Sequence, residues 1–181
     1  MVVGWFILHD KVVFLDRDGV INKKAPKHDY IKTLQEFEFL PNVDKAIRLL
    51  NNHGFIVLII TNQRGIARGL MKEKDLYNIH QEMCAKLREK KAIINDIFVC
   101  PHENNECTCR KPNIGLFLQA EAKYLIDKKK TFMVGDSNTD IEAGKRYGVK
   151  TIAINKERLD ADYRCNTLLE AVNYIIGVDK K

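Results

Sequence analysis

Apolar residues in this chain gather in short unbroken runs, and amphipathic stretches fill the intervals between them. Val12-Val13-Phe14-Leu15, Ile56 to Ile60, Ile93 to Val99 (broken at Asn95-Asp96), Thr131 to Val134 and Thr151 to Ile154 are predominantly apolar, as expected of strands buried on both faces of a parallel sheet. Between them, Val43, Ile47 and Leu50 recur at helical spacing and stop at Gly54, while Leu76, Ile79, Met83 and Leu87 line one side of a longer helix. Leu116, Ala120 and Tyr124 make a further helical face, Ile141 to Tyr147 a short helix closed by Gly148, and Leu168, Ala171 and Ile175 a final one. Strand followed by helix, five times over, predicts an α/β fold: a doubly wound, Rossmann-like parallel sheet of about five strands.

Two segments interrupt the rhythm. Residues 22–41 form a polar connection longer than most loops in compact domains, a length that usually accompanies function. Residues 100–112 are dense in cysteine and polar side chains. With 181 residues, no repeat and no low-complexity tract, a single domain over 1–181 is expected, with 1–10 as an N-terminal extension. The apolar start, Val2 to Leu8, is too short to span a membrane and lacks the flanks of a signal peptide. A net charge of +6 admits anionic ligands without choosing among them. Lys90-Lys91 and Lys128-Lys129-Lys130 fall near helix ends, where cations complement the dipole, so they do not read as a nucleic-acid footprint.

The chemistry gathers at strand ends. The first strand finishes in Asp16-Arg17-Asp18-Gly19, whose i, i+2 carboxyls point to one side if the chain stays extended. The second finishes in Thr61-Asn62 and the fourth in Gly135-Asp136, with Asp140 four residues on. Each alone reads equally well as a turn or a helix cap. At one edge of one sheet, where open α/β folds bind ligands, they make a carboxylate cluster that needs a cation, and hard oxygen donors suit Mg²⁺.

Asp16-Arg17-Asp18-Gly19-Val20, Thr61, Lys111 and Gly135-Asp136 with Asp140, in that order, resemble the four motifs of the haloacid dehalogenase-like superfamily of phosphatases. The resemblance covers about Lys11 to Ile154 and implies a phosphatase working through an aspartyl-phosphate. Asp16 would attack phosphorus, Asp18 would serve as acid and then base, and Thr61 and Lys111 would stabilise the phosphoryl oxygens. Mg²⁺ would be held by Asp16, the main-chain carbonyl of Asp18, and Asp136, with Asp140 acting on the ligands from behind.

Cys100, His102, Cys107 and Cys109 supply C-x-H-x₄-C-x-C, the donor set of a closed structural zinc site. Cys84, Cys165, His9, His28, His53 and His80 carry no motif. The cluster runs directly into Arg110-Lys111-Pro112, so zinc would turn both cations toward the catalytic edge. Together with Thr61-Asn62-Gln63-Arg64-Gly65-Ile66-Ala67-Arg68-Gly69, it resembles the zinc-containing histidinol-phosphate and D-glycero-D-manno-heptose 1,7-bisphosphate phosphatases, the heptose group above all. Ser137 departs from the basic residue that many relatives carry there. That branch is capless, which leaves specificity to loops, with Arg110, Asn62, Arg64, Arg68, Lys24 and Lys27 as candidate substrate contacts. The implied ligand is a small phosphorylated metabolite and the implied setting a cytoplasmic monomer. Histidinol phosphate, a polynucleotide 3′-phosphate, and a zinc-stabilised nucleic-acid binding module without catalysis are the competing readings; no aromatics interleave a basic stripe to favour the last.

Overall fold

The computed structural model describes residues 11–27, 29–154 and 160–179. The N-terminal extension 1–10, His9 and His28 lie outside the described residues. Six strands run parallel in the order β3-β2-β1-β4-β5-β6, namely β1 (Val12–Leu15), β2 (Ile56–Asn62), β3 (Asp96–Cys100), β4 (Phe132–Gly135), β5 (Lys150–Ile154) and β6 (Tyr163–Cys165). The helices are α1 (Val43–Asn52), α2 (Glu73–Glu89), α3 (Gly115–Glu121), α4 (Asn138–Tyr147) and α5 (Leu168–Asp179).

The unbroken apolar runs follow from double-sided burial. Val13, Leu15, Val57 and Ile59 face a core shared with α1, α5 and the end of α2, while Val12, Phe14, Ile56, Leu58 and Ile60 face a second core shared with α3 and α4. On that second face Phe14 meets Phe117 edge-on at 4.8 Å, and Phe117 stacks on Tyr147 at 4.6 Å.

Three expectations need correction. The sheet has six strands, because Tyr163–Cys165 pairs with β5 along only three residues, too few to give a sequence pattern. β3 begins at Asp96 rather than Ile93, since Asn51 bonds the main chain of Ile93 on both sides and Asn95 turns its amide oxygen to Val57 N. α3 stops at Glu121, and Tyr124 packs on the core from beyond its end.

Among its described residues the connection after β1 contains no helix or strand. It folds back on itself through a bridge between Asn22 and Phe39 and buries Ile31 against Met71, Leu76 and Ile79. Among the described residues no separate cap domain covers the carboxyl edge of the sheet, and no helix is long and apolar enough to cross a membrane.

Candidate active site

β1 lies between β2 and β4, where the strand order reverses, and the groups singled out in the sequence emerge at that point. Beyond the end of β1 at Leu15 the chain turns at Arg17, whose O accepts from both Ile21 N and Asn22 N. Asp16 still donates its N–H to Val134 O, in line with β1, whereas Asp18 is placed by the turn, which corrects the expectation of extended chain through both. Gly19 has φ +89°, and a Cβ there would lie 1.9 Å from Asp136 Oδ2, so only glycine lets this turn approach the end of β4.

Lys111 is the centre of the arrangement. Its side chain is 1% exposed, and the ammonium lies 2.9 Å from Asp16 Oδ1, 2.6 Å from Asp140 Oδ1 and 2.8 Å from Ile60 O. Asn62 fixes the backbone that delivers it, donating from Nδ2 to Lys111 O and accepting from Lys111 N, each at 3.1 Å. Both ends of the Asn62 amide, expected to contact substrate, are thus engaged by Lys111. Thr61 is buried and its hydroxyl accepts from Gln63 Nε2 at 2.9 Å.

Carboxylate oxygens of Asp16, Asp136 and Asp140 lie within 4.8 Å of one another. Burial, and then the charge of Asp140, push the Asp16 carboxyl up to about 7 against the pull of Lys111. Burial raises Asp136 to about 6, opposed by Lys24, whose ammonium is 2.6 Å away. Burial works against a charged Lys111, but Asp140 and Asp16 outweigh it and hold the ammonium above its ordinary value. Carboxylates that resist ionising together, with only oxygen donors, fit a hard divalent cation such as Mg²⁺. Asp140 is not free to join as a ligand. Its Oδ1 meets Lys111, and its Oδ2 accepts from Asp136 N, Ser137 N and Ser137 Oγ at 3.2, 3.0 and 2.6 Å. Ser137 thereby helps tie Asp140 down.

Asp18 faces a different set of partners. Its carboxylate accepts from Arg17 Nη2 at 2.9 Å on both oxygens, from Asn22 Nδ2 at 2.8 Å and from Gln63 Nε2 at 3.0 Å. Burial would raise this carboxyl, yet the Arg17 charge and these hydrogen bonds hold it below the ordinary value.

Cys100, His102, Cys107 and Cys109 converge as their spacing predicts. Cys107 Sγ lies 3.5 Å from Cys100 Sγ and 3.3 Å from Cys109 Sγ, and His102 Nδ1 lies 3.6 and 3.3 Å from Cys100 and Cys109. Three thiols and one imidazole at tetrahedral-edge separations fit zinc. Burial opposes ionisation of Cys107, but hydrogen bonds led by that from Cys109 bring it down to about 7.

The outer cations divide. Lys24 reaches Asp136, whereas Lys27 is exposed. Arg110, expected to turn with Lys111 toward the carboxylates, instead donates within its own loop to Asn104 Oδ1 at 2.8 Å and His102 O at 3.4 Å. Arg64 donates to Tyr30 Oη at 3.0 Å and to Glu103 Oε1 at 2.9 Å, and Arg68 donates to Glu103 Oε2 at 2.7 Å. Tyr30, Glu103, Gln63 and Arg17 were not anticipated as parts of the site. The available signal was Arg17 and Gln63 standing inside the two motifs themselves.

The polynucleotide kinase 3 phosphatase family model matches residues 11–175. A D-glycero-alpha-D-manno-heptose-1,7-bisphosphate 7-phosphatase from Photorhabdus laumondii is 42% identical over 147 residues, 77% of this chain and 79% of its own. A D-glycero-beta-D-manno-heptose-1,7-bisphosphate 7-phosphatase from Haemophilus ducreyi is 36% identical over 181 residues, 91% of this chain and 98% of its own. The crystal structure of D,D-heptose 1,7-bisphosphate phosphatase from B. bronchiseptica, complexed with magnesium and phosphate, superposes with a TM-score of 0.85 at 28% identity, covering 93% of this chain and 99% of that one. The match to the family begins at the residue before β1 and ends within α5, so it takes in every element that builds the site, and the chain belongs to the polynucleotide kinase 3 phosphatase family of haloacid dehalogenase-like proteins.

Proposed function

We propose that the chain is a Mg²⁺-dependent phosphatase that removes the 7-phosphate of D-glycero-D-manno-heptose 1,7-bisphosphate. The observation that carries the chemistry is the gathering of Asp16, Asp136 and Asp140 around the buried Lys111 ammonium at the strand-order reversal. The sugar follows from the names of the relatives above, which include enzymes of both anomers.

In this reading an Asp16 oxygen bonds to phosphorus as the sugar oxygen leaves, giving an aspartyl-phosphate that water then hydrolyses. Asp18 protonates the departing oxygen and afterwards takes a proton from the water. Its lowered carboxyl suits the second task directly; for the first, a phosphomonoester with a second pKa of about 6 is a source of the proton. Lys111 and the Thr61 hydroxyl bind the transferring phosphoryl oxygens. The carboxylates of Asp16 and Asp136 and the main-chain carbonyl of Asp18 would hold Mg²⁺, whose positive charge would offset the repulsion of a phosphate by the carboxylates.

The test is a Mg²⁺-dependent phosphate-release panel of both heptose bisphosphate anomers, histidinol phosphate and a 3′-phosphorylated oligonucleotide. One heptose anomer is expected to exceed the last two by roughly 100-fold in kcat/KM, about 2.7 kcal/mol. Preference for the oligonucleotide would install the polynucleotide reading, which the family's description favours.

Zinc at Cys100, His102, Cys107 and Cys109, and a monomer working in a reducing cytoplasm without membrane or nucleic-acid partners, belong to the same proposal. No disulfide joins any of the five cysteines, an arrangement that a reducing compartment allows. Freshly purified protein is expected to contain stoichiometric zinc by elemental analysis. Cys109→Ser should lose that zinc and lower the melting temperature; zinc-free wild-type protein would remove the zinc assignment.

A further inference from the structure

Arg17 is completely buried and heads the fully buried side chains by volume among the described residues. A guanidinium cannot shed its charge, so its N–H groups must find acceptors inside the protein. Asp18 takes Nε and Nη2, and Gln63 Oε1 takes a further contact from Nη2 at 3.2 Å. That leaves Nη1, which points at Nε2 of His80 at 3.2 Å.

His80 sits on α2 among the apolar residues Leu76, Ile79 and Met83, only 7% exposed. A ring nitrogen facing a guanidinium N–H must be an acceptor, which places the His80 proton on Nδ1. Burial first, and the Arg17 charge second, push the imidazole down to about 3, so it remains an acceptor throughout the neutral range. His80 also lines an open cavity of about 720 Å³, whose wall includes Glu73, Gln81, Asn95 and Asp96 beside Leu76 and Val99.

We infer that His80 is a positioning residue: by accepting from Arg17 Nη1 it fixes the guanidinium in the orientation from which Arg17 grips both oxygens of Asp18. The inference rests on the phosphatase reading, in which Asp18 moves the protons. It ties α2, which contributes no group to the reacting edge, to the rate of the chemical step. Without the imidazole the guanidinium has a buried unpaired donor and is free to swing toward other acceptors, taking Asp18 with it.

The variants His80→Leu and His80→Gln separate this role from packing. Leucine fills the site without an acceptor, while the glutamine amide oxygen can occupy the place of Nε2. In Mg²⁺ with the preferred heptose bisphosphate, His80→Leu is expected to lower kcat about 30-fold with KM within about twofold, and His80→Gln to stay within about threefold of wild type. Wild-type kcat in His80→Leu, or equal impairment in a folded His80→Gln, overturns the inference. Should leucine prevent folding, the glutamine variant and the ring nitrogens still decide it. Nitrogen-15 NMR of the wild-type chain should show His80 Nε2 unprotonated and Nδ1 protonated at neutral pH, and a protonated Nε2 sinks the inference by itself. Because that spectrum needs no turnover, a chain that releases no phosphate while showing the expected nitrogens refutes the phosphatase reading separately.

Discussion

Asp16→Asn is expected to abolish phosphate release, by at least ~10⁴-fold or about 5.4 kcal/mol of transition-state stabilisation, while the fold survives. The loss follows from the proposed chemistry, because an amide cannot attack phosphorus and no other carboxylate can take over. Asp140 has both oxygens engaged by Lys111, Ser137 and the Asp136 amide, and Asp18 is gripped by Arg17. Survival of the fold follows from the electrostatics. Asp16 is already pushed up to about 7 by burial and by Asp140, so a neutral isostere relieves repulsion. Lys111 keeps Asp140 and the Ile60 carbonyl. A thermal melt within a few degrees of wild type, beside a blank phosphate assay, is the expected pair of results. Retained turnover would remove Asp16 as the nucleophile.

Lys111→Met should damage both properties at once. The ammonium stands between two carboxylates that are themselves largely enclosed, and removing one member of such a group leaves charge uncompensated, at about 3–5 kcal/mol. In the proposed reaction the same cation faces the transferring phosphoryl oxygens, so kcat should fall by ~10³-fold or more. The double variant Lys111→Met with Asp140→Asn separates the effects. It removes a cation and an anion together and should regain much of the lost stability without regaining activity. Chemical denaturation of the two variants measures the first quantity, and phosphate release the second. A Lys111→Met protein as stable as wild type would mean that the carboxylates do not depend on this cation.

The sheet was legible because parallel strands buried on both faces cannot alternate, and residues 12–15 and 56–60 are apolar without a break. β6 was not, since three residues with only Cys165 buried leave no periodic mark. In the site, the motif residues fell where their order implied, because strand ends at a reversal of strand order converge whatever the details of the loops. The partners of those residues were hidden. His80 repeats no motif, and its meaning depends on a guanidinium more than sixty positions away in the chain. Arg110 and Arg64 looked like ligands for phosphate, but a sequence shows charge without showing which carboxylate or carbonyl already holds it. Here Glu103 and the carbonyl of His102 do.

The position of β1 has a dynamic consequence. It is hydrogen-bonded to β2 on one side and β4 on the other, with a core on each face, so it belongs to the part of the molecule that opens only in global unfolding. The outermost contacts after β2 and β3, such as those of Glu103 with Arg64 and Arg68, are partly exposed side-chain pairs that can break without opening that core. Asp16, rooted in that core, keeps its place while those outer side chains exchange partners. Substrate range can therefore drift through those outer side chains by mutation without spending the stability on which the reacting carboxylate depends.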